Sequence, residues 1–305
     1  MDATALTSPG KPLPPLEAGT LYLVATPIGN LEDITLRALR TLRECDVIAA
    51  EDTRHTAQLL HHYGIQKPLL SYFRFNEARR SSEILQRLAS GERVALVTDA
   101  GTPGISDPGQ RVARAALEAG HAVESVPGPC AFVAALAASG LPTDEFHFAG
   151  FLPHKSGQRR RELERLRDVP GTLVLYESPY RIERLLGELV EVMPAREVVL
   201  ARELTKRFEE FRRGTPAALQ AASVGKTWKG EFTVLIGPAD LPATRVGAGI
   251  AADADADADA GEEDVEGEGH PEADEATERR DTEVEGDSKP RGGAGPTETT
   301  DEPRP

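Results

Sequence analysis

Val94-Ala-Leu-Val-Thr-Asp-Ala-Gly-Thr-Pro-Gly-Ile-Ser-Asp-Pro-Gly109 decides how this chain folds. An apolar run stops at Asp99, and the next ten residues hold three glycines, two prolines, a threonine, a serine and a second aspartate. A short apolar run bounded by turn residues reads as a buried strand. In a parallel α/β sheet, the loop leaving the carboxyl end of a strand is where ligands bind. Glycine lets the backbone approach a small molecule closely, and proline stiffens the loop that does so. The same residues also make a tight strand-to-helix turn, capped by Ser106 or Asp107 with Pro108 at the first helical position. The two readings are compatible: residues from Ile105 onward cap a helix while Gly101 to Gly104 face a ligand.

Working outward, apolar runs predict strands at 21–26, 46–51, 68–72 and 122–126, beside the one at 94–99. Helical periodicity falls between them, at 35–44, 53–62, 77–89 and 110–119. Leu36, Leu39 and Leu42 give the first helix one apolar face, and Ile84, Leu85 and Leu88 do so for the third. Such alternation predicts a mainly parallel sheet covered on both faces. Pro127-Gly-Pro129 breaks the pattern, and 130–139 reads as a buried helix of small apolar residues. Strands are then expected at 147–151, 172–177, 198–202, 209–213 and 231–236, with helices at 158–167, 181–192 and 216–222. The closely spaced late strands predict a mixed sheet. The expected organisation is a disordered leader at 1–18, an α/β domain at 19–127, a second at 128–239, and a disordered tail at 240–305.

Charge supports the last boundary. The chain of 305 residues carries a net charge of −15, yet residues 1–239 hold 29 basic and 29 acidic side chains. The remaining 66 residues hold 6 basic and 21 acidic ones, including Ala251-Ala-Asp-Ala-Asp-Ala-Asp-Ala-Asp-Ala260. A segment so poor in large apolar residues cannot bury enough surface to offset its ordering entropy. The part expected to fold is electrically balanced and free to carry a local basic face. Two cysteines, Cys45 and Cys130, argue against a disulfide framework. No CxxC or HExxH spacing suggests a metal. The Pro-rich start lacks the pattern of a signal peptide, and no apolar run is long enough to span a bilayer. A cytoplasmic protein is the expectation.

Strand-end loops hold the candidate chemistry. Ala25-Thr-Pro-Ile-Gly-Asn30 is not GxGxxG, and there is no GxxxxGK[ST], so neither a dinucleotide fold nor a P-loop is supported. Glu51-Asp-Thr-Arg-His55 places two carboxylates beside Arg54. They position a substrate or accept a proton, or Asp52 merely caps a helix and pairs with Arg54. Asp99 binds a ligand or stitches its own loop. Pro127-Gly-Pro-Cys-Ala131 offers free helix N–H groups to an anion. Cys130 lacks an adjacent base and reads as a packing residue. From His154 to Arg167 there are six Lys or Arg against two Glu, the densest basic segment of the balanced part. Phosphate binding would use such a cluster; a solvated helix face would also produce it.

Thr26-Pro-Ile-Gly-Asn-Leu-Glu-Asp-Ile-Thr35, Ala49-Ala-Glu-Asp-Thr-Arg-His-Thr56, Asp99-Ala-Gly-Thr-Pro103 with Ser106-Asp-Pro-Gly109, Pro127-Gly-Pro-Cys-Ala131, Gly150-Phe-Leu-Pro153 with Lys155, Tyr176-Glu-Ser178 and Ala201-Arg-Glu-Leu-Thr-Lys206 complete the set. In order and spacing they resemble the ribosomal RNA small subunit methyltransferase I family, within the tetrapyrrole methylases. The likeness runs from about residue 19 to 237. It implies the two-domain tetrapyrrole-methylase fold (class III S-adenosylmethionine methyltransferases), a parallel-sheet domain plus a mixed-sheet domain with S-adenosylmethionine (SAM) between them. It implies 2′-O-methylation of a decoding-centre cytidine in 16S rRNA, no metal, a substrate within the 30S subunit, and a homodimer.

For the cofactor, the resemblance points to Pro27, Asp99, Gly101, Thr102, Pro103, Ile105, Cys130, Ala131 and Tyr176. Thr102 stands where related methylases carry Asp, which favours its backbone as the contact. Glu51, Asp52, Arg54 and Glu203 are the catalytic candidates, and Lys155, Arg159, Arg160 and Arg161 are the expected RNA grip. Where the family carries a His-rich segment after Ser71-Tyr72, this chain reads Phe73-Arg-Phe-Asn-Glu77, which weakens any His-base mechanism or else moves the aromatic rings into a base-stacking role. Two other functions remain open: methylation of a tetrapyrrole-type small molecule, and a non-catalytic RNA-binding role in ribosome assembly.

Overall fold

The computed structural model describes residues 14–239. The expectations for residues 1–13 and for the acidic tail at 240–305 lie outside them. Within the range, the apolar runs become β1 (Thr20–Val24), β2 (Val47–Ala50), β3 (Leu69–Ser71), β4 (Val94–Val97) and β5 (Ala122–Val126). All pair in parallel, in the order β3-β2-β4-β1-β5. Every residue of β2 and β4 is buried, because helices cover both faces of this sheet. Alternation decides which face each side chain joins. Tyr22 and Val24 pack with Leu39 and Leu42 of α1 (Leu36–Glu44) and Leu60 of α2 (Thr53–His62). Leu21 packs on the other face with Ile84 and Leu88 of α3 (Glu77–Ala89) and Val112 of α4 (Gln110–Glu118).

Residues 14–18, expected to belong to a disordered leader, instead pack on the first domain. Leu16 packs against the first cluster, and the Glu17 N–H donates to the Tyr22 hydroxyl at 2.8 Å. Arg40 donates to the Pro14 carbonyl at 2.8 Å. Leu16 and these hydrogen bonds hold Pro14 to Ala18 on the domain.

The strand order positions the site. β1 leads to β2 on one side, whereas β4, which lies between them, leads to β5 on the other. Their loops therefore part at neighbouring carboxyl ends, the switch point where α/β sheets bind ligands. A two-way backbone bridge joins them: Thr26 N–H to Gly101 O at 2.9 Å, and Gly101 N–H to Thr26 O at 3.0 Å.

The second half forms a mixed sheet, β6 (Phe146–Phe151), β7 (Thr172–Glu177), β10 (Phe232–Ile236), β8 (Val198–Arg202) and β9 (Glu210–Gly214), in that spatial order. Only β6 and β7 run parallel. α6 (Ser156–Leu166), α7 (Ile182–Val192) and α8 (Pro216–Ala221) cover one face through Leu163, Leu185, Leu189 and Leu219. α5 (Ala131–Ser139) covers the other through Ala135 and Leu136. It is not buried all round: Val133 is half exposed, since one helix on one sheet hides only one side. No described helix is long and apolar enough to cross a membrane.

Candidate functional site

The carboxyl-end loops of the first sheet face the β6–β7 and β8–β10 ends of the second across a cavity of about 410 Å³. Glu51, Asp99, Gly101, Thr102 and Ile105 line it from the first sheet's side. Tyr176, Glu177, Lys206 and Glu231 line it from the second, with Cys130 and Ala131 at the start of α5. Of the residues expected around a cofactor, all but Pro27 and Pro103 reach this cavity. Pro103 is buried, and the neighbour of Pro27, Ile28, reaches it instead.

The quoted loop explains how. Gly101 and Gly104 take φ of +85° and +83°, the left-handed region that favours glycine. Thr102 points its hydroxyl away from a ligand role, donating to the Pro129 carbonyl at 3.1 Å and tying this loop to the Pro127–Pro129 turn. The expected cap is corrected. α4 begins at Gln110 with Gly109 before it and no side-chain cap, so neither Ser106 nor Asp107 caps the helix and Pro108 lies outside it. The Asp107 carboxyl is left facing the cavity. The cap role that its place in the Ser106-Asp-Pro turn suggests hides this carboxyl as a site residue in the sequence.

The four catalytic candidates separate. Glu51 lines the cavity, and burial, then the charge of Asp99, raises its pKa. Asp52 caps α2, accepting from Arg54 N–H at 2.8 Å, and its Oδ2 lies 2.7 Å from Arg54 Nη2. That hydrogen-bonded cation holds the Asp52 carboxyl below the usual carboxylate range. Neither Asp52 nor Arg54 lines the cavity; only the Asp52 N–H reaches towards it, donating to Asp99 Oδ1 at 3.0 Å. Glu203 is turned towards Gly230 and pairs with Lys206 Nζ at 2.8 Å, so the lysine, not the glutamate, lines the cavity. Lys206 also reaches Glu231 at 2.9 Å, and its stem crosses Gly29, where a Cβ would collide with it. Asp107 has its pKa pushed up to about 7 by burial and by the charges of Glu51, Asp99 and Glu231. Among the described residues, no three His, Cys, Asp or Glu converge to hold a metal ion.

A model of the tetrapyrrole (corrin/porphyrin) methylases matches residues 20–220. Ribosomal RNA small subunit methyltransferase I of Mesorhizobium japonicum is 49% identical over 237 residues, 77% of this chain and 79% of that protein. The protein of that name from Halalkalibacterium halodurans is 48% identical over 220 residues, 72% of this chain and 76% of its own. This chain belongs to the ribosomal RNA small subunit methyltransferase I family of tetrapyrrole methylases. The solved uroporphyrin-III C-methyltransferase of Thermus thermophilus, complexed with S-adenosyl homocysteine, shares the fold. Its TM-score is 0.51 at 21% identity, covering 71% of this chain and 96% of that one.

In this tetrapyrrole methylase the second-sheet wall is aromatic. Tyr176 meets Phe148 edge to face at 5.0 Å and Phe151 at a tilt at 5.5 Å, and its hydroxyl accepts from the Phe132 N–H at 3.2 Å. Burial raises the Cys130 thiol, which keeps it neutral and poorly nucleophilic. The basic segment of the methylase is less basic than it reads. Arg159 is not a surface group: its side chain is 2% exposed and forms a two-pronged pair with Glu188. Leu163 and Leu166 pull that face of α6 into the core and carry Arg159 inward with it. Arg160 pairs with Glu164 and Glu191, Arg165 with Glu162, and Arg167 with Asp168. Lys155 and Arg161 remain exposed without a carboxylate partner among the described residues.

Proposed function

We propose that this methylase transfers a methyl group from SAM to the ribose 2′-oxygen of a decoding-centre cytidine in 16S rRNA. The observation that carries the reading is the inter-sheet cavity in a chain nearly half identical to ribosomal RNA small subunit methyltransferases. Its volume falls in the range of small-ligand sites, roughly 300–1,000 Å³. Its chemistry fits the donor. Glu51 and Asp99 favour a ligand carrying sulfonium and ammonium charges. Gly101 and Thr102 offer backbone groups, and the small Cys130 and Ala131 open the first turn of α5 to a carboxylate. Bound there, SAM supplies a methyl group already activated on sulfur. The protein then has to align the acceptor and exclude water.

Exposed rings around the strand ends suit an unstacked nucleotide. Phe75 is 90% exposed and meets Phe73 edge to face at 6.3 Å; Phe151 and Tyr180 are exposed beside the cavity wall. Such rings stack bases irrespective of sequence. Lys155 and Arg161 would hold phosphates. Lys155→Ala combined with Arg161→Ala is expected to weaken rRNA binding, to lower the salt slope by about one per lost contact, and to leave SAM affinity unchanged. Binding titrations from low to high salt measure it. An unchanged slope removes both residues from the interface.

The reading as a whole is tested with purified full-length protein. Calorimetry should detect SAM binding, and mass mapping of 16S rRNA after incubation with 30S subunits should place one methyl on a cytidine ribose. SAM binding without rRNA product but with tetrapyrrole methylation favours the small-molecule reading, and no SAM binding favours a non-catalytic assembly factor. The 30S particle as substrate, a homodimeric state and a cytoplasmic location follow from the same reading.

A further inference from the structure

Asp107 differs from the other acids of the cavity: no described residue holds it. Glu177 grips Arg181, and Glu231 lies 2.9 Å from Lys206 Nζ. Asp99 accepts the Asp52 N–H at 3.0 Å, and Glu51 accepts the Asp99 N–H. No described residue donates a hydrogen bond or an ion pair to Asp107. The residue is nonetheless fixed in place. Ser106 before it sits at φ +63°, and its Oγ lies against Gly150 of β6, where a Cβ would come within 3.0 Å. The loop thus crosses from the first sheet to the second. Asp107 feels Glu51 and Asp99 from one side and Glu231 and Tyr176 from the other. A carboxylate held between two walls, without a partner and facing a ligand cavity, is available to a reacting proton.

We propose that Asp107 is the general base that receives the proton of the acceptor hydroxyl. The inference rests on the O-methylation reading above. In the step, the hydroxyl oxygen forms its bond to the methyl carbon while the carbon–sulfur bond breaks and its electron pair stays on sulfur. The hydroxyl proton passes to an Asp107 oxygen and later leaves to water. Burial and neighbouring acids raise Asp107 to about 7, which makes it a better base near neutrality than an ordinary carboxylate. The charged and titratable groups around it are Glu51 after β2, Asp99 after β4, Tyr176 and Glu177 on β7, Lys206 after β8, Glu231 before β10 and Cys130 before α5.

The sign of the pH dependence follows. Methyl transfer requires the carboxylate, so the rate rises with pH and levels off above about 7. Stability runs the other way. The folded-state pKa lies above the unfolded one, so this residue's contribution is present at low pH and is lost as pH rises through the folded value.

Asp107→Asn isolates the role. Single-turnover transfer to 30S subunits should fall about 100-fold or more. The rising limb near neutrality should vanish, and SAM and S-adenosyl homocysteine affinities by calorimetry should stay close to wild type. Without any ligand, the variant should melt several degrees higher than wild type at pH 8 but not at pH 5. If the amide variant fails to fold, Asp107→Glu keeps a displaced carboxylate and should give a reduced rate with the rising limb retained. A rate within tenfold of wild type overturns the assignment, as does a loss explained by weaker SAM binding. Methylation by the wild type at an atom other than a ribose oxygen overturns the functional reading and the base together. Wild-type ribose methylation with an active Asp107→Asn overturns the base alone.

Discussion

Arg159→Ala is expected to destabilise the protein by about 3–5 kcal/mol, and its rRNA affinity, per folded molecule, to change little. Arg159 Nε donates to Glu188 Oε2 at 2.6 Å, and Nη2 donates to Oε1 at 2.8 Å. Nη1 donates to the His154 carbonyl at 3.2 Å, and Ser156 donates to the same glutamate at 2.8 Å. Removing the arginine leaves the Glu188 side chain charged, only 11% exposed, and without its cation. That orphaned charge is what makes breaking a buried pair costly. At about 2–4 °C per kcal/mol for a domain of this size, the melting temperature should drop by about 10 °C. Replacing both partners with apolar residues of similar volume should recover much of the loss, because the pair itself contributes little net stability once its desolvation is counted. Thermal melts of the single and double variants, with rRNA titrations below the transition, test this. A single variant that melts like wild type but binds rRNA poorly would return Arg159 to the interface.

Arg159 also shows what sequence could and could not convey. The run from His154 to Arg167 reads as a basic cluster because charge counting treats each residue as exposed. Pairing with Glu188 and Glu191 on α7 is a matter of helix packing, and no local pattern announces it. The strands were legible for the opposite reason. Val94-Ala-Leu-Val97 is apolar at every position because helices cover both sides of it, and that burial is written into the residues themselves. The placement of β10 between β7 and β8 was not legible: it joins residues about 30 and 60 positions apart through backbone bonds any sequence can make. The short 3-10 turn at Leu31–Asp33 was also missed, since it depends on Asn30 accepting one N–H. In the site, the glycine-rich loop announced itself by composition. Asp107 did not, because its role turns on whether α4 begins at residue 108 or at Gln110. Helix boundaries are the least readable part of any helix.

Glu177→Gln should have the second largest effect, and it joins the cavity to the basic loop. The Glu177 side chain is 1% exposed and Arg181 is 12% exposed. Arg181 Nη2 donates to Glu177 Oε2 at 2.9 Å; Nε lies equally near Oε1 but is poorly aligned for a hydrogen bond. Arg181 Nη2 also donates to the Leu152 carbonyl at 2.9 Å, and Nη1 lies 3.1 Å from His154 Nδ1. One buried carboxylate in the cavity wall therefore fixes the arginine that holds residues 152–154, immediately before Lys155. A neutral amide keeps the shape but leaves the guanidinium charge uncompensated, at a cost of about 3 kcal/mol. Amide exchange at 152–156 should quicken while that of β7 stays slow. The rRNA affinity should fall with its salt slope unchanged, because Lys155 keeps its charge but loses its fixed position. Removing Lys155 and Arg161 themselves should lower both affinity and slope. The two variants thus separate loss of charge from loss of order, and wild-type exchange at 152–156 in Glu177→Gln would break the link between the cavity wall and the loop.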